Sequence, residues 1–123
     1  MKQLAALVIV GLAVAACGGG TTPIEEAVEA CVYGSGEIEG VRIADEGQSL
    51  LINGQGEDEI TGANIFDTFC LLNEIELPDS VISRMDSTSS LSGQQEATWN
   101  DYTAYWTYHP DNGLDIIIET NAD

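Results

Sequence analysis

Apolar and polar positions along this chain keep distinct rhythms, and each rhythm predicts an element. Leu4 to Val14 is an unbroken apolar run without charge. Ile24, Ala27, Val28 and Cys31 then recur at i, i+3, i+4 and i+7, the spacing of one helical stripe. Ahead of that stripe, Thr22, Pro23 and Glu25 make a capping box with proline at the first helical position. Glu25 and Glu26 fall in the first turn, where the helix dipole favours anions, and Gly34 offers a left-handed end. Val41–Ala44 and Ser49–Ile52, joined through Asp45-Glu46-Gly47, read as a hairpin. A second helix is expected from about Asn64 to Glu76, with Ile65, Phe66, Phe69, Cys70, Leu72 and Ile75 as its apolar set. Pro78 stops it and can open a short third helix carrying Val81, Ile82 and Met85.

Past the serine-rich connection Ser87–Gln95 the period becomes two. Tyr102, Ala104, Trp106 and Tyr108 alternate with Thr103, Tyr105 and Thr107; Leu114, Ile116 and Ile118 alternate with Asp115, Ile117 and Glu119. Turns at Asn100-Asp101 and Asn112-Gly113 make this a three-stranded meander beginning near Ala97. The expected fold class is α+β: about five antiparallel strands with two to three helices packed on one face, and one disulfide.

The first apolar run is too short to cross a bilayer, which needs roughly 20 apolar residues. It follows Lys2 and ends in Val14-Ala15-Ala16-Cys17, the three-part pattern of a secretory signal. Val-Ala-Ala-Cys resembles the lipobox of bacterial lipoproteins. That resemblance implies cleavage before Cys17 and a thioether-linked diacylglycerol on its sulfur, with a palmitate-type lipid anchor at the extracytoplasmic face of the cell membrane or envelope. Anchoring by two acyl chains is stable, at about 0.8 kcal/mol per buried methylene. The implied organisation is a signal peptide over 1–16, lipidated Cys17 and a short glycine-rich tether over 17–22, and a single α+β domain over 23–123. Gly18 to Thr21 can span no more than about 14 Å, so the domain is expected to sit close to its membrane. The chain also resembles small acidic lipoproteins of Gram-positive bacteria, the 98–115 stretch included; no activity comes with that likeness.

Charge narrows the partners. Three basic residues oppose 21 acids, a formal charge of −18, and loss of Lys2 would leave −19. Nucleic acid and anionic lipid headgroups are repelled by such a surface, whereas a basic envelope protein or another cationic ligand is attracted. Cys31 and Cys70 remain as an even pair in a domain read as exported, which points to a structural disulfide between two helices.

Candidate chemistry is thin, and no enzyme is expected. His109 is the one histidine, so a zinc site or a Ser-His-Asp set would have to be built on it without a second imidazole or free thiol. It reads as a surface histidine in a turn. With so many acids, chance pairs of carboxylates carry no argument for a small envelope hydrolase. Two features are left. The flexible loop Asn53-Gly54-Gln55-Gly56-Glu57-Asp58-Glu59 could hold Ca²⁺ through Glu57, Asp58 and Glu59, although it lacks the EF-hand pattern. In the aromatic hairpin, Tyr105 and Trp99 are the candidates for ligand contact. The expected function is a membrane-tethered, non-enzymatic binding domain, with a Ca²⁺-dependent structural or sensing module as the alternative and a small envelope hydrolase behind it.

Overall fold

The structure, a computed structural model, describes residues 21–32, 36–57 and 60–121. The segment 1–16, read from sequence as a signal peptide, and Cys17 to Gly20 lie outside them. In chain order the elements are α1 (Pro23–Cys31), β1 (Val41–Ala44), β2 (Ser49–Asn53), α2 (Ile65–Glu74), α3 (Asp79–Asp86), β3 (Gln95–Trp99), β4 (Tyr102–His109) and β5 (Gly113–Thr120). The strands form one antiparallel sheet in the order β1-β2-β5-β4-β3. The fold is α+β, as the hydrophobic rhythm implies.

Strand register decides which face is core. Leu50, Ile118, Ala104 and Ala97 lie in one cross-strand row, and Ile52, Ile116 and Trp106 in the next; all are buried. Ile24, Ala27 and Cys31 of α1, Leu71 and Leu72 of α2, and Val81 and Met85 of α3 join them in one cluster. The other face carries the row Arg42, Leu51, Ile117, Tyr105 and Glu96, turned away from that cluster. Both indoles tie the sheet to the helical layer. Trp99 Nε1 donates to the Ile75 carbonyl (2.9 Å), and Trp106 Nε1 donates to Thr88 Oγ1 (2.8 Å). Each removes an orphan donor from the interior.

The capping box of α1 forms: Thr22 Oγ1 accepts from the Glu25 N–H, and the Glu25 carboxylate accepts from the Thr22 N–H. The same hydroxyl donates to the Gly47 carbonyl (2.7 Å), pinning the start of the domain to the β1–β2 turn. The helix ends in an extended Val32 and not at Gly34, which lies outside the described residues. Cys31 and Cys70 are bridged, Cα to Cα 5.9 Å, which fastens the end of α1 to the middle of α2.

The expected core face of α2 needs correction. Leu71, Leu72 and Ile75 are buried, whereas Phe66, Ile65 and Phe69 are exposed (82%, 61% and 41%), and Cys70 is half-buried beside α1. The helix carries two apolar stripes, and the sheet can cover only one of them. The β4–β5 connection also differs from a two-residue Asn-Gly turn: His109 pairs with Gly113 across a three-residue loop, and the Asn112 N–H returns to the His109 carbonyl. Gly113 supplies the left-handed residue (φ +79°). Among the described residues, no helix is long and apolar enough to cross a membrane.

Candidate functional site

The two ends of the sheet are unlike. At one, Thr22 meets Gly47, and Gln48 accepts from the Thr120 N–H at the end of β5. At the other, about 23 Å away along the eight residues of β5 at roughly 3.3 Å each, lies Gly113. Here four loop segments meet backbone to backbone. The Asn53 N–H donates to the Gly40 carbonyl (2.7 Å), Ala63 to Asn53 (2.7 Å), Gly54 to Leu114 (2.9 Å) and Glu57 to Pro110 (2.9 Å). Glycine is required for that approach. A Cβ at Gly40 would stand 2.2 Å from the Ala63 nitrogen, and one at Gly56 2.0 Å from the Asp111 carbonyl oxygen. The segment 53–57, expected to be flexible, is therefore pinned to the β4–β5 loop.

Two concave surfaces flank this knot of backbone. The first is a polar cleft of about 430 Å³, lined by Glu39, Asn53, Thr61, Asn112 and Asp115 together with the glycine backbone. The second is an apolar groove. Ile65, Phe69 and Leu72 of α2 form one wall and Ile82 and Met85 of α3 the other, with Leu114 between them, around about 330 Å³. Past Ile65 and Leu114 the groove opens into a hollow of about 490 Å³ bordered by Phe66 and Tyr108. Large apolar side chains standing in water on a pinned helix mark a contact surface more than they mark a core.

Charge around the groove is one-sided. Asp86 stands in its α3 wall. The two arginines of the described residues are elsewhere or engaged. Arg42 is on β1, and Arg84 lies 5.3 Å from the Trp106 ring centroid while donating to the Glu96 carbonyl (3.0 Å). Acidity is felt at the far end too. The Tyr102 hydroxyl has its pKa raised, first by burial and then by Asp101, Glu76 and Glu26.

The residues singled out from sequence are scattered. Trp99 is buried in the core cluster and stacked on Tyr102 (5.5 Å), not exposed as a contact residue would be. Its period-two neighbours gave no sign that its indole would reach α2. Tyr105 is half-buried on the sheet face turned from the helices, beside Gln94, Thr107, Asp115 and Ile117 around a shallow hollow of about 120 Å³. Glu57 is exposed; Asp58 and Glu59 lie outside the described residues. Among the described residues no three His, Cys, Asp or Glu side chains converge as metal ligands. His109 is exposed in its turn, where Nδ1 accepts from the Asp111 N–H (3.1 Å).

Comparison of the chain with protein-family models, curated proteins and solved structures finds no match. The function must be argued from the surface itself. The groove, with Ile65, Phe66, Phe69 and Leu114, is the part that sequence reasoning missed. The one signal available was the second apolar stripe of α2.

Proposed function

We propose that this chain is a lipid-anchored, non-enzymatic binding domain of the cell envelope that receives a cationic partner. One observation carries the reading: Ile65, Phe66 and Phe69 are exposed on a disulfide-fastened helix beside an apolar groove, within a chain of charge −18. An anchor at Cys17 would enter the domain at Thr22, at the opposite end of β5 from that groove. Held in this way, the groove points away from the membrane and toward what diffuses in the envelope. Like-charged lipid headgroups push in the same direction.

Two results are expected. Cys17→Ser abolishes incorporation of labelled palmitate and moves the protein from the membrane fraction to the soluble one. Calorimetry with a basic protein such as lysozyme, or with polylysine, gives heat at low ionic strength that fades as salt is added, since the Debye length shrinks to about 10 Å at 0.1 M. Silence with both cations at low salt contradicts the reading.

The polar cleft favours a second reading, a Ca²⁺-dependent module. Carboxylate, amide and hydroxyl oxygens of Glu39, Asn53, Thr61, Asn112 and Asp115 line one hollow, the hard donors that Ca²⁺ takes. Under that reading Ca²⁺ raises the melting temperature, and Asp115→Asn removes the rise. An unchanged melting curve ends it.

A further inference from the structure

Resting on the cationic-partner reading, we infer where the partner sits and what kind of segment it offers: a basic amphipathic helix whose apolar face lies in the groove between α2 and α3. The walls are largely apolar, from buried Leu72 and Met85 to exposed Ile65 and Phe69, with Thr68, Ser83 and Asp86 as their polar members. Beyond them the hollow beside Phe66 and Tyr108 prolongs the trough. A trough of this form takes anchors spaced along one helical stripe, the helix-in-groove mode.

Charge selects the occupant. The acid of the groove lining, Asp86, meets no cation there among the described residues, because Arg84 is held over Trp106. A second copy of this chain would bring a further −18 and its own Asp86. A lipid surface, under the proposed anchoring at Cys17, would lie toward Thr22 at the other end of β5, and anionic headgroups would be repelled. A helix with lysines or arginines flanking its apolar stripe satisfies the apolar walls, Asp86 and the negative charge of the chain as a whole. Its cations steer the encounter, and its apolar side chains, desolvated in the groove, set the residence time.

The test is fluorescence anisotropy with the full chain and two dye-labelled peptides. One is a Lys/Leu peptide of about 18 residues, five helical turns, with its leucines on one stripe. The other has the same composition in an order that gives no stripe. The ordered peptide is expected to bind at least tenfold more tightly, and Ile65→Ser/Phe66→Ser/Phe69→Ser is expected to remove that advantage. These side chains are exposed, so the melting temperature of the triple variant should match the parent. Ser83→Arg, a cation set in the α3 wall, is expected to weaken the ordered peptide without touching an apolar contact. Equal binding of both peptides overturns the groove and leaves a charge-driven cationic surface standing. Binding of neither overturns both. Two other results would reassign the groove and overturn the inference: flotation of the full chain with phosphatidylcholine vesicles that depends on Phe66, or concentration-dependent self-association that the triple variant abolishes.

Discussion

Gly40 and Gly56 show how much of this molecule depends on single atoms. Each lies where two backbones touch, and an added Cβ would overlap main-chain atoms at 2.2 Å and 2.0 Å. Main chain cannot swing aside as a side chain tip can. Gly56→Ala is therefore expected to cost about 1–3 kcal/mol, the range for overpacking, read as a lower denaturation midpoint. An unchanged midpoint would mean that segment 53–57 is not pinned. Tyr102 gives a second residue-level expectation. Its pKa is raised in the folded state by burial and by neighbouring acids, so the unfolded chain loses this proton first. The neutral hydroxyl contributes stability that is complete below about pH 10, the ordinary tyrosine value, and is lost as pH rises through the folded value. Unfolding midpoints should fall above about pH 10, and less steeply in Tyr102→Phe; identical slopes would remove Tyr102 from the account. At this scale the sequence was legible where partners are local. The Thr22–Glu25 capping box could be read directly. Gly40 against Ala63 and Gly56 against Asp111 could not, because such contacts depend on how distant loops meet.

Strands were more legible than helices, for a physical reason. A strand has two faces, so alternation in Tyr102–Tyr108 and Leu114–Glu119 assigns each residue to one of them, and register does the rest. A helix can bear apolar residues over more of its circumference than one neighbour covers. In α2 and its cap the buried stripe is Leu71, Leu72 and Ile75, while Ile65, Phe66 and Phe69 are equally apolar and face water. Periodicity counts both stripes alike. The bridge from Cys31 to Cys70 settles how α2 is held, closing 39 residues of sequence. Replacing both cysteines by serine is expected to cost about 4 kcal/mol on the chain-entropy model. It should loosen α1 against α2 before the sheet gives way, and hydrogen exchange would follow that directly. Equal protection of both helices with and without the bridge would contradict that role.

At the scale of the whole molecule the arrangement is polar in the geometric sense. The chain enters at Thr22, the sheet spans the body, and the glycine-built loops and the groove occupy the far end. Under the proposed reading, the excess negative charge attracts a basic partner over long range without choosing where it lands, and the groove makes that choice. Hydrogen–deuterium exchange on the full chain, with and without the ordered cationic peptide, tests this most directly. Protection confined to 63–72, 82–86 and 108–114 is the result expected. Protection centred on the β1–β2–β5 face around Leu51, Ile117 and Tyr105, or spread evenly over the acidic surface, would contradict it.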